Sequence, residues 1–174
     1  MSLQGWGIWI TGLPASGKTT ITHQLVAELK ERKINVQVLE SDTLRQVFTP
    51  KPTYSPEERE TFYNSMIYLG NLLSQNGINV IFDAVANRRR WREKARKVIP
   101  RFLEIYVNTP LAICRQRDPK DIYKLADRGD AQYVPGQQQT YEEPLSPDLV
   151  LDGQVNPDHS VQKIIEVMKR NGFI

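Results

Sequence analysis

Cysteine is almost missing from this chain. Cys114 is the only one in 174 residues, so no internal disulfide can form and a reducing compartment is expected. Its neighbours are apolar, which suits a small buried side chain better than a reactive thiol. Long hydrophobic runs are missing too. None approaches the ~18 residues a membrane-spanning helix needs, and the N-terminus has no charged-then-apolar signal pattern. The expectation is a cytoplasmic protein with no membrane partner. Charge of one sign is not in great excess: the formal net charge is +3. That suits a small anionic ligand and disfavours nucleic acid, whose binders carry a concentrated basic stripe. The one basic cluster is Arg88-Arg89-Arg90 with Arg92, Lys94, Arg96 and Lys97, and its default is a solvated helix face. The two histidines, His23 and His159, are isolated on helical patterns and expected at the surface. There is no internal repeat, no low-complexity tract and no Asn-Lys-x-Asp element of the kind guanine switches use.

What is present is an ordinary globular composition, 40% hydrophobic and 25% charged, in a chain long enough for one good core. We expect a single domain over residues 1–174. Strand patterns (about 6–11, 35–40, 78–83, 102–107 and 149–151) alternate with helical ones (about 17–32, 41–48, 56–76, 88–98, 110–116 and 157–171). Ser41 or Asp42 is expected to cap the second helix. Ser55, Pro56 and Glu58 make a strong start signal for the third, whose buried face is read as Phe62, Met66, Leu69 and Leu73. Asn156-Pro157 opens the last, with Val161, Ile164, Ile165 and Met168 inward. Such alternation predicts an α/β fold of three layers, a mainly parallel sheet covered by helices on both faces. Ligands then bind at the carboxyl ends of the strands.

Gly12-Leu13-Pro14-Ala15-Ser16-Gly17-Lys18-Thr19, followed by Thr20, fits the phosphate-loop pattern of Gly, four residues, then Gly-Lys-Thr. It stands between the apolar run Trp6–Ile10 and a helix whose Ile21, Leu25, Val26 and Leu29 share one face. Glycines let the backbone curl so that its N–H groups point inward, and the helix N-terminus adds unpaired donors and a positive dipole end. Lys18 is expected to reach the β- and γ-phosphates, and the Thr19 hydroxyl to ligate Mg²⁺. This makes a nucleoside triphosphate the donor and a P-loop kinase fold the expectation. It leaves the recipient open.

Candidates for the recipient side stand at the other strand ends. Asp42 and Arg45, three apart, share a face of a starting helix. Asp42 could take a proton from an attacking hydroxyl or hold the Mg²⁺ water shell, and Arg45 could grip an anionic acceptor. Asp83 ends an apolar strand, as a carboxylate holding Mg²⁺ through water would. Arg88 and Arg89 are the members of the basic helix nearest that strand end, and Arg89 is read as acceptor-binding. Residues 118–147 are polar and punctuated by Pro119, Gly129, Pro135, Gly136, Pro144 and Pro147, a connection long enough to be a lid. With Arg115, Arg117, Lys120, Lys124 and Arg128 it could close over the transferring group and exclude water.

At these residues the chain resembles the adenylylsulfate kinase family. The best stretches are Ile8–Leu13 with the loop itself, Tyr54-Ser55-Pro56-Glu57-Glu58-Arg59, Arg117-Asp118-Pro119-Lys120-Asp121-Ile122-Tyr123-Lys124, Tyr141–Pro144 and Pro147–Asp152. The resemblance implies transfer of the ATP γ-phosphoryl to the 3′-hydroxyl of adenosine 5′-phosphosulfate. Lys18, Asp42 and Asp83 are read as the catalytic residues and Arg117 as nucleotide-binding, while the resemblance itself puts Asp42, Arg45 and Arg59 on acceptor-site positions and Lys120 on the lid. These four are read as acceptor-binding. Mg²⁺ is the implied cofactor, ATP and a small nucleotide-like anion the partners, and a homodimer is held open.

The departures from the family pattern cluster on the acceptor side. Asp-Gly-Asp-Asn-Val-Arg is here Glu40–Arg45, a loop Arg is Pro50, and Glu-Asn-Ile-Arg-Arg is Thr61–Ser65. Phe-Ile-Ser-Pro is Ala84-Val85-Ala86-Asn87, so the serine once assigned a phosphorylated intermediate is Ala86. A lid aromatic that stacks on adenine is Val134, with Tyr133 adjacent. A different hydroxyl acceptor, or a nucleotide-dependent switch, therefore stand as the alternatives.

Overall fold

The computed structural model describes residues 4–174. Its centre is a five-stranded sheet in the order β2-β3-β1-β4-β5. The strands are β1 (Gly7–Thr11), β2 (Val36–Glu40), β3 (Asn79–Asp83), β4 (Phe102–Asn108) and β5 (Leu149–Asp152). Every neighbouring pair is parallel, as the alternation predicted. The helices are α1 (Lys18–Glu31), α2 (Ser41–Phe48), α3 (Pro56–Gln75), α4 (Arg89–Val98), α5 (Leu111–Arg117), α6 (Ile122–Asp127) and α7 (Pro157–Arg170). Among the described residues no helix is long and apolar enough to cross a membrane.

The strands send successive side chains to opposite faces, and the two faces build separate cores. Ile8 and Ile10 point to one side, where Ile81, Leu103, Ile105 and Val107 meet Ile21, Leu25 and Leu29 of α1 and Val161, Ile164, Ile165 and Met168 of α7. Trp9 points to the other, stacked on Phe82 at 4.7 Å, against Phe62, Tyr63, Met66 and Ile67 of α3 and Trp91 and Ala95 of α4. A helix layer thus covers each face. The inward side of α3 is rotated from the one expected: Tyr63 and Ile67 join Phe62 and Met66, while Leu69 and Leu73 are only partly buried.

Two helix starts differ from the sequence reading. Neither Ser41 nor Asp42 caps α2; Glu40 is the boundary residue and donates no side-chain cap. Ser55 does cap α3, its Oγ accepting from Glu58 N at 3.2 Å. The Glu58 carboxylate, however, does not return to Ser55. It accepts from the Thr53 and Tyr54 backbone N–H groups at 2.6 and 3.2 Å and from Arg45 at 2.9 Å. It staples the loop preceding the helix to α2.

The segment expected as an irregular lid contains a helix, α6. Asp118 is buried and its Oδ2 accepts from Tyr123 N and Lys124 N, both at 3.1 Å, which satisfies donors of the first turn. Tyr123, Ala126 and Val134 pack with Cys114 and, partly buried, Leu13, so the lid carries its own small core. Cys114 is buried as expected, and both histidines are exposed.

Candidate active site

Because the sheet is parallel, Thr11, Glu40, Asp83, Asn108 and Asp152 all end strands at one edge, with Glu40 in register with Asp83. A cavity of about 720 Å³ opens there. It is lined by the phosphate loop (Pro14, Ala15, Gly17, Lys18, Thr19, Thr20), by Asp83, by Asp42, Arg45, Tyr54, Arg59 and Tyr63, and by Arg117, Lys120 and Val134 of the lid.

The loop's shape depends on backbone that side chains would spoil. Gly17 sits at φ 104, in the left-handed region, at the boundary of α1. A Cβ on Gly12 would lie 2.5 Å from the Val107 carbonyl oxygen. Gly12, Leu13 and Ser16 form the back of the loop. The Leu13 carbonyl accepts from Lys18 Nζ at 2.8 Å, and the Ser16 carbonyl accepts from Thr109 Oγ1 at 2.8 Å. Thr109 braces the loop from β4's end and carried no motif that would have singled it out.

Lys18 and Asp83 are both buried, 8% and 3% exposed. Burial pushes the Lys18 ammonium down and the Asp83 carboxyl up, and their mutual attraction opposes both shifts. Asp83 Oδ2 has no hydrogen-bond partner among the described residues. A buried orphan carboxylate oxygen beside the phosphate loop fits the water shell of a cation, so the residues present are compatible with Mg²⁺. Among the described residues no group of three or more His, Cys, Asp or Glu gathers to hold a metal. Mg²⁺ does not need one, because it binds through one or two protein oxygens plus phosphates and water.

Across the cavity Asp42 is half-exposed and its Oδ2 accepts from Lys120 Nζ, so lid and α2 meet at a charge pair. Asp42 raises the Lys120 ammonium. Arg45 is buried, lies 3.9 Å over the Phe62 ring and 4.7 Å over Tyr54, and is neutralised by Glu58. Arg59 is buried with no carboxylate partner among the described residues. It donates to three neutral oxygens: Tyr54 O at 3.0 Å, Asn87 Oδ1 at 3.2 Å and Tyr133 O at 2.8 Å. Desolvation lowers its pKa.

Of the lid cations expected to close over the site, Arg117 and Lys120 line the cavity. Arg117 donates to Gly153 O at 2.8 Å and Ser16 O at 3.4 Å, which ties the lid's start to the loop. Arg115 is paired with Asp127 and Lys124 with Asp121. The lid is further pinned by Tyr123, whose hydroxyl donates to Pro14 O at 2.9 Å.

Arg89, expected at the acceptor, lies away from the cavity. Its Nε donates to Glu143 O and its backbone N to Glu142 Oε2, both at 2.8 Å, and it does not line the cavity. The start of α4 faces residues 142–143 instead. The other arginines of the basic cluster are ion-paired: Arg88 with Glu142, Arg90 with Glu60, Arg92 with Glu104 and Arg96 with Asp148. Arg92 is fully buried and also donates to the Ala86 and Glu142 carbonyls. It is a structural pin. Ala86 sits at φ 42, with its N–H donating to Tyr63 Oη at 3.0 Å. Tyr63, unremarked in the sequence, thereby shapes the wall between Asp83 and Arg59.

Comparison with known proteins points the same way. Residues 4–152 match the family described as adenylylsulphate kinase. A protein of Pyrococcus abyssi named a probable adenylyl-sulfate kinase is 36% identical over 99% of both chains. An adenylyl-sulfate kinase of Rippkaea orientalis is 36% identical over 100% of this chain and 97% of its own. The structure of the Mycobacterium tuberculosis APS kinase in complex with AMPPNP and APS superposes with a TM-score of 0.90 at 30% identity, covering 95% of this chain and 98% of that one.

Proposed function

This chain belongs to the adenylylsulphate kinase family, and from that premise we propose that it transfers the γ-phosphoryl group of ATP to the 3′-hydroxyl of adenosine 5′-phosphosulfate. The observation that carries the reading is the single cavity in which the phosphate loop and Asp83 face Asp42, Arg45, Tyr54 and Arg59, with Lys120 of the lid across it.

The donor's phosphates lie on the loop N–H groups, with Lys18 turning from the Leu13 carbonyl to the β- and γ-oxygens. Thr19 and Asp83 would hold Mg²⁺, which when bound neutralises phosphate charge. Arg117 braces the nucleotide end. On the other side Arg59 and Arg45 face the anionic part of the acceptor, and Tyr54 offers it a ring. Asp42 orients the attacking hydroxyl and takes its proton as the new oxygen–phosphorus bond forms. The bond to the β-phosphate oxygen breaks, and the electron pair leaves with ADP. Lys120, released from Asp42, follows the charge on the transferring group. With Ala86 where a serine would be needed, transfer is direct, with no phosphorylated serine there. The pinned lid keeps water from competing as acceptor.

The test is ADP release with and without adenosine 5′-phosphosulfate, at fixed Mg²⁺ and ATP. Acceptor-dependent ADP is expected; no ADP above the hydrolysis background rejects the reading. One observation favours a second acceptor class: Glu58 already neutralises Arg45, which lowers the wall's demand for a doubly anionic group. Adenosine, which has the 3′-hydroxyl but no anionic group, separates the two in the same assay, since faster turnover with it would favour that class.

A further inference from the structure

A second cavity shares Arg59 with the first. It holds about 200 Å³ and is lined by Arg59, Arg88, Arg90, Trp91, Gln139 and Glu142. Ligand pockets for drug-sized molecules run from ~300 Å³ upward, so this one suits something smaller than a nucleotide.

Its wall is rich in unused donors. Arg88 gives one N–H group to Glu142 at 2.9 Å, and Arg90 gives one to Glu60, which is not part of the wall. Their other guanidinium N–H groups have no partner among the described residues. Gln139 uses its Oε1 to accept from Asn87 at 3.4 Å, which leaves its amide N–H donors. Arg59 is the most telling of the set. A guanidinium only 5% exposed, bonded only to neutral oxygens, is a buried cation without a counter-ion. Glu142, the one carboxylate on the wall, is held ionised by Arg89 N and Arg88, and Glu60 pairs with Arg90 from outside the wall, so the charge left unopposed is that of Arg59. Planar guanidiniums from two helices and a lid amide form a cage for a compact anion that accepts several charge-assisted bonds at once.

We propose that this cavity binds a small tetrahedral oxyanion, sulfate or phosphate. The bound ion supplies the counter-charge that Arg59 lacks. Because Arg59 Nη2 also holds the Tyr133 carbonyl, one side chain links the ion to the lid and to the acceptor wall.

The test is calorimetric titration of the protein, saturated with Mg²⁺ and ADP so that the phosphate loop is filled. Sodium sulfate and sodium phosphate are titrated in separate arms, with sodium chloride at matched ionic strength as control. Saturable binding of one equivalent is expected, weakened at least tenfold in the Arg88→Ala/Arg90→Ala double variant, which keeps its kinase turnover in anion-free buffer. The arm with the tighter binding identifies the ion; equal arms support the shared chemistry. Heat no different from chloride, or an affinity unchanged in the double variant, overturns the proposal. If the double variant does not fold, Gln139→Glu introduces a carboxylate into the wall and is expected to abolish the binding; unchanged affinity there overturns it equally.

Discussion

The two sides of the large cavity are built on opposite principles. On the donor side the working groups are left unsatisfied: Asp83 Oδ2 has no partner among the described residues, and Lys18 is held only by a backbone carbonyl and the Ser16 hydroxyl. On the acceptor side the arginines are already engaged, Arg45 by Glu58 and two rings, Arg59 by three oxygens. The donor side stores its binding capacity as desolvated charge. The acceptor side stores it as a rigid frame. Substitutions should therefore fail differently on the two sides.

The largest effect is expected from Lys18→Ala, a fall in kcat of about 10³-fold with the fold retained by circular dichroism, since the lysine acts on charge that develops in transfer. Asp83→Asn is expected to lower activity about 100-fold, as losing an outer-shell metal partner does. Its stability should move the other way. Burial raises the Asp83 pKa, so the folded state holds that proton more tightly than the unfolded chain. The stability this gives is present below the ordinary carboxylate range and is lost as pH rises through the raised value. Without nucleotide, Asp83→Asn should melt above wild type at pH 7, and the gap should close in acid. A lower melting point at pH 7 would break the contrast between the two walls. Arg59→Ala should do both kinds of damage at once. The KM for the acceptor should rise about 10–100-fold, the KM for ATP should stay nearly fixed, and the melting point should drop. A selective rise in the KM for ATP would put Arg59 on the wrong wall. Lys120→Ala should lower kcat about tenfold while changing stability by under ~1 kcal/mol, because its pair with Asp42 is exposed. Smallest is Arg89→Ala, expected within about twofold of wild type in steady-state rate, since its side chain lies outside the cavity.

The same division explains how far the sequence could be read. The loop is one contiguous stretch, so strand, loop and helix announce Lys18 and Thr19 through local pattern alone, and Asp83 is announced by its own place at the end of an apolar strand. The acceptor side is assembled from segments far apart in the chain. Arg59 meets Asn87 and Tyr133, and no periodicity reports such contacts. Nearness to a strand end does not give direction at Arg89, where Glu142 turns the start of α4 away from the cavity. Helix α6 leaves little local sign, because it has six residues and begins after Asp121 at φ 53 without a side-chain cap there; Asp118 holds its first turn and Tyr123 ties it to Pro14 across the fold. Asp42 shows the converse: its residue type suggests a cap, yet its partner is Lys120, 78 residues on.

The most direct measurement is a single turnover with ATP labelled in the γ-phosphate and adenosine 5′-phosphosulfate, followed by separation of the nucleotides. The account predicts label in a 3′-phosphorylated nucleotide, none on the protein, and no transfer by the Lys18→Ala variant. Label released only as inorganic phosphate, or transfer undiminished without Lys18, would contradict it.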